Sequence, residues 1–186
     1  MSIHAVLVLL VSATDPATSF APDKAPPALA PAVGRAAKAA DALQKTLLER
    51  LQKALADGGP KHAIGVCADD ASKLSAELAK AHGVELGRTS HKIRNDKNAP
   101  RAWLEPLLAA AQGKKVKEVT PVVVDLGTKL GLARPLGVQA FCLQCHGANV
   151  EPALAAELAK RYPKDHATGF AEGDFRGFLW VEVAKP

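Results

Sequence analysis

Apolar residues near the start of the chain recur in alternating steps of three and four. Val33, Ala37, Ala40, Leu43, Leu47, Leu51 and Leu55 make one stripe, which predicts an amphipathic helix over residues 32–57. Gly58-Gly59-Pro60 ends it, because glycine is a poor helix former and proline lacks the N–H. A second stripe, Ile64, Cys67, Ala71, Leu74 and Leu78, predicts a helix over 61–82 that Gly83 caps. Cys67 therefore faces inward. Residues 84–90 then read as a short strand and 91–98 as a polar loop. A third helix is expected over 100–112, burying Trp103, Leu104, Leu107, Leu108 and Ala111, with Pro106 kinking or restarting it. A strand is expected over 117–126, where Pro121 marks an edge or a bulge, and another over 129–136 after a turn at Gly127-Thr128. Asn149 can cap a helix that opens with Glu151 and Pro152 and turns Leu154 and Leu158 inward. Residues 177–183 form a last strand. Helices gather early and strands late, so the class is α+β rather than alternating α/β. No internal repeat is present.

One stretch does not belong to any of these elements by periodicity. Phe141-Cys142-Leu143-Gln144-Cys145-His146-Gly147 holds two cysteines two residues apart with histidine directly after, the attachment pattern of a c-type haem. Each thiol of such a pair adds to one porphyrin vinyl group, and a helical turn sets the two sulfurs at the separation required. His146 then supplies an imidazole nitrogen to the iron. A zinc site would need more cysteine or histidine at knuckle spacing, yet the chain has three cysteines in all. A thioredoxin-like pair would open the first helix of a βαβ unit, and no such pattern surrounds this one. The cofactor expected is one covalent haem c per chain.

The 186 residues fit a single domain, with 48% apolar residues to build a core. The net charge of +5 is spread along the chain, which speaks against nucleic-acid binding. It suits a solvated surface, or one that docks acidic proteins or rests near an anionic membrane face. Residues 3–13 form an apolar run too short to span a bilayer and of the length of a secretory h-region, although no Lys or Arg precedes it. The organisation expected is a signal peptide over 1–21, a flexible Ala/Pro-rich leader over 22–31 and one domain over 32–186. Export to a periplasm or an equivalent compartment agrees with haem attachment, which takes place on the exported side of a membrane. Membrane association is expected only through an uncleaved leader.

Three islands carry a resemblance. One joins Cys67 to Gly87-Arg88-Thr89-Ser90 and Arg94-Asn95. A second is the Cys142–Gly147 motif. The third runs from Tyr162 to Phe170 and continues in Gly173-Asp174-Phe175-Arg176-Gly177. Together they resemble a family of exported single-haem c-type proteins with cysteine and histidine as iron ligands. That resemblance implies a PAS-like antiparallel sheet, with long N-terminal helices packed around the covalently bound haem c. It does not fix a molecular role.

The iron's second axial ligand decides the chemistry. The only methionine is Met1, so a His/Met electron carrier is excluded. Cys67, His62, His82, His91, His166, a lysine and an open site remain. Cys67 sits in the middle of a core stripe, while the histidines fall at helix ends and in polar loops. An odd thiol in an oxidising compartment also asks for a role, and the resemblance points to Cys67 too. The metal ligands expected are His146 and Cys67. Arg88, Arg94 and Arg176 are candidates to pair the haem propionates, with ordinary surface ion pairs as the alternative for each. Asp165 and Asp174 can anchor loops, and no catalytic residue is assigned.

The function expected is a redox-active haem module that senses redox state or a small gas. A low-potential electron carrier is the alternative. A haem peroxidase is weaker, since six-coordinate iron leaves no place for peroxide. No output segment is recognisable, so sensing would need a separate signalling partner, and transfer would need a redox partner protein.

Overall fold

The computed structural model describes residues 18–186. The apolar run at 3–13 lies outside the described residues, as does all but the end of the signal peptide expected over 1–21. The fold is α+β, built on a five-stranded antiparallel sheet as expected. Its strands are β1 (Ser19–Phe20), β2 (Glu85–Thr89), β3 (Val122–Asp125), β4 (Lys129–Gly137) and β5 (Phe175–Ala184), in the order β1-β3-β4-β5-β2. The central β4–β5 ladder pairs Leu132 with Val181 and Ala133 with Trp180, and its register shifts between Leu136 and Gly137. The irregularity falls where Leu136 and Gly137 border a cavity beside the Cys142–Gly147 motif.

Helix α1 (Ala30–Asp69) covers one face of the sheet. Its inner stripe of Ala32, Val33, Ala36, Ala39, Ala40 and Leu43 packs on Leu132, Leu179, Val181 and Val183. Four alanines in that stripe let the helix axis lie close to the sheet. A larger side chain at any of them would overpack the contact, at a cost of about 1–3 kcal/mol. On the opposite face, Leu104, Leu108 and Ala111 pack with Phe175, Phe178 and Ala133.

Two expectations are corrected here. The helix expected over 61–82 is divided. Gly58-Gly59-Pro60 stops the first helical arm as foreseen, and α1 is two arms joined at that kink, but the second arm passes at Asp70 into α2 (Ala71–His82). Gly58 (φ −156°, ψ 18°) and Gly59 (φ 68°, ψ −170°) both leave helical geometry. The strand expected over 117–126 begins only at Val122, because residues 116–118 wind into a 3-10 turn whose end is tied by Glu118 to the Lys115 N–H. Pro106 restarts the third helix as foreseen: α3 (Glu105–Ala111) follows a separate turn over 102–104.

The stretch 22–31 read as a flexible leader carries structure: Pro22–Lys24 form a 3-10 turn and Leu29 packs against the main core. Just before it, Ser19 and Phe20, the end of the expected signal peptide, pair with Val124 and Val123 at the edge of the sheet. Among the described residues, no helix is long and apolar enough to cross a membrane.

Candidate functional site

The Cys142–Gly147 motif folds as a 3-10 turn, Ala140–Cys142, running into α4 (Leu143–His146). This compact winding brings Cys142 and Cys145 to one side, as residues three apart on a helix must be. Gly147 closes the turn. A Cβ there would stand 2.6 Å from the Leu143 carbonyl oxygen, so only glycine fits without a shift. Beneath the motif, Cys142 and Leu143 pack on a small core of Val138, Ala167 and Phe170.

A cavity of about 240 Å³ opens beside the motif. All seven residues singled out from the sequence line it: Cys67, Arg88, Arg94, Cys142, Cys145, His146 and Arg176. They come from α1, β2, the following loop, the motif and β5, so the fold gathers them from more than a hundred positions of sequence. Leu51, Leu55, Ile64, Val138 and Leu158 supply the apolar part of the wall. Among the described residues, no second histidine and no lysine reaches this cavity. His62 and His166 are exposed. His91, read as a surface histidine, is instead set against Phe170 and stacked on Phe175 at 6.0 Å between ring centres. Of the alternatives weighed as the second ligand, Cys67 alone lies on the wall.

His146 is held in one orientation and one tautomer. Its Nδ1 lies 2.7 Å from the Ala167 carbonyl oxygen, which only an N–H can satisfy, so Nε2 keeps its lone pair. Burial, followed by the charges of Arg176 and Arg94, pushes its pKa down to about 3. The imidazole is therefore neutral through the physiological range, the form that binds a metal. Burial raises the Cys67 thiol, against the pull of Arg88 and Arg94. Left alone it stays protonated, and a cation is needed to make it a thiolate.

The three arginines divide into two roles. Arg94 is committed: its Nε donates to Asp165 at 2.9 Å, and its Nη2 donates to the carbonyls of Cys145 at 2.6 Å and Ala167 at 3.3 Å. It fixes the motif backbone, a scaffolding role that the sequence did not assign to it. Asp165 also accepts from the Ala167 N–H at 2.7 Å, which makes it the loop anchor foreseen. Asp174 is the other, through Lys115 and the Ala171 N–H. Arg176 donates to Ser90 Oγ and to the Lys92 carbonyl, but no carboxylate stands within ion-pair distance of it or of Arg88 among the described residues. Crowding shows in Arg176, whose pKa is pushed down to about 10 by burial and then by Arg94 and Arg88.

This donor set fits a haem. Three guanidiniums converge, one carboxylate answers them, and a haem would bring two more. The pair of cysteines, the free Nε2 and an apolar wall complete the requirements. No group of three or more His, Cys, Asp or Glu side chains able to hold a bare metal ion occurs among the described residues. Tyr162, named from the sequence only as the start of the third island and given no role there, also shares the cavity wall, directly after α5 (Pro152–Arg161).

Comparison with known proteins gives two matches. The profile of the family described as Tll0287-like: Tll0287 matches residues 23–184. The crystal structure of the cyanobacterial heme-protein Tll0287 superposes with a TM-score of 0.65 at 28% identity, covering 87% of this chain and 98% of that one. No curated protein matches.

Proposed function

The chain belongs to the Tll0287-like family, and from that premise we propose that it is an exported protein carrying one c-type haem, with which it senses redox state or a small gas. The observation that carries this reading is the convergence of Cys142, Cys145, His146, Cys67 and two arginines without carboxylate partners on one cavity. The similarity to a solved heme-protein supports it.

In this reading Cys142 and Cys145 would hold the porphyrin by thioether bonds, and His146, through Nε2, and Cys67, through its sulfur, would hold the iron. Arg88 and Arg176 receive the propionates, and Arg94 keeps the motif in place. When bound, the haem supplies one-electron redox chemistry and a small-ligand site. The chain decides how accessible that site is. Cys67 is neutral when free, so its bond to the iron is favoured by the ferric state and weakened by reduction. A low reduction potential follows, together with a ligand that can leave.

A redox titration followed by absorbance, with and without CO, tests this on protein matured in a haem-competent exporting host. A low potential that rises under CO supports sensing. A potential indifferent to CO, with rapid electron exchange, moves the reading to a carrier, and peroxide turnover moves it to an enzyme. Replacing Cys67 with Ser should shift the ferric Soret band; an unchanged band removes Cys67 as ligand. Colourless protein at the bare polypeptide mass overturns the whole reading.

A further inference from the structure

Cys67 sits on the arm of α1 between a kink and the junction with α2. At the near end, Gly58 and Gly59 leave helical geometry, and Gly59 (φ 68°, ψ −170°) occupies a region that only glycine enters without strain. Pro60 follows and has no N–H to give to the preceding turn. At the far end Asp70 joins it to α2 without leaving the helical region (φ −95°, ψ −34°): its N–H donates to the Val66 carbonyl and its own carbonyl accepts from the Leu74 N–H. Between them, Ala63, Ile64 and Cys67 face the cavity. The kink leaves the near end of this arm without helical continuity, so its seating depends on what holds the far end.

Two arginines from outside the segment reach its far end. Arg50, on the long arm of α1 before the bend, donates through Nε and Nη2 to Asp70 Oδ2 at 3.1 and 2.6 Å. Arg161, at the end of α5, places Nη1 3.3 Å from Asp69 Oδ2, while Glu157 steadies its Nε at 2.8 Å. The same guanidinium lies over Gly65, where a Cβ would meet Nη2 at 3.5 Å. The bend frees one end of the segment, and these pairs close the other from two different helices.

We propose that Arg50 and Arg161 are positioning residues for Cys67: they pin the Asp69–Asp70 end of the Pro60–Asp69 segment and so set how readily the thiol leaves the cavity. The proposal rests on Cys67 being an iron ligand. Both pairs are partly exposed, so each changes the released fraction by roughly two- to five-fold, and salt weakens both.

The test uses haem-loaded protein with Arg50→Gln, Arg161→Gln and the double variant. Two quantities are read: the rate at which cyanide displaces the sixth ligand of the ferric protein, and hydrogen exchange of the amides in 60–69. Each single variant should raise both about two- to five-fold, with the double variant near tenfold. Arg50→Lys should restore most of the effect. Lys53→Gln removes an ion pair to Asp57 that lies wholly before the bend and should change neither. If both quantities stay at wild-type values in the double variant while Cys67→Ser still alters the ferric spectrum, the positioning role is wrong and the ligand assignment stands. If Cys67→Ser leaves the spectrum unchanged, the ligand assignment fails and takes the positioning role with it.

Discussion

The two walls that bear the proposed iron ligands are built to opposite specifications. Around His146, the side chain, the backbone on both sides and the facing loop are cross-tied by Ala167, Arg94 and Asp165, and the ion pair among them is nearly out of water, at 13% and 11% exposure. Around Cys67, the helix is kinked on one side, and its other end is gripped by ion pairs in contact with solvent. Burial decides which restraint is strong. An ion pair shielded from water cannot lose one partner cheaply, while an exposed one exchanges with water and salt. One ligand is thereby anchored and the other is releasable.

That contrast can be tested from the anchored side first. Arg94→Gln strands the Asp165 carboxylate and frees two carbonyls, and should destabilise the fold by about 3–5 kcal/mol in urea unfolding. A loss below about 1 kcal/mol would mean this wall is no firmer than its counterpart. Next comes the bend. Gly59→Ala puts a Cβ into open space but into a backbone region closed to alanine, so a cost of roughly 1–3 kcal/mol is expected, with accelerated ligand displacement as its visible sign. Arg50→Gln should cost at most about 1 kcal/mol, and that difference should vanish in high salt. The smallest effect concerns pH. Burial, then Arg176 and Lys92, lowers His91 below its ordinary 6.5, and its Nδ1 is buried without a partner. The folded state therefore binds fewer protons than the unfolded one between the two values. Stability rises with pH across that window and is lost as pH falls through the folded-state value. His91→Phe should flatten this acid limb in urea midpoints compared at about pH 5 and pH 7; an unchanged slope would show that His91 is not the group responsible.

Much of the site was legible because its chemistry is local or periodic. The cysteine pair with His146 is contiguous, and the inward face of Cys67 follows from its place in a stripe of step three and four. The class of fold followed from the separation of helical and β patterns. What escaped depends on contacts between distant residues. The pairing of Ser19-Phe20 with β3 is set by an open sheet edge, which two residues of sequence cannot announce. The commitment of Arg94 became visible only once Asp165 and the Cys145 carbonyl stood beside it, since three arginines of similar setting look alike in a string. The helix stop read at Gly58-Gly59-Pro60 is where the first arm of α1 ends, whereas the division at Asp70 left no mark in the sequence, because Asp70 falls inside an unbroken stripe of step three and four.

The alanine stripe of α1 gives the long helix a mechanical property. Its arm from Ala30 to the bend is about 40 Å of nearly rigid rod, seated on the sheet with little clearance at Ala36 and Ala39. A rod seated so tightly at one end works as a lever: tilting it by about five degrees would carry its far end about 3 Å. A displacement of a methyl group's thickness beneath Ala36 is thus magnified where the arm ends, at the kink from which the Cys67 segment departs.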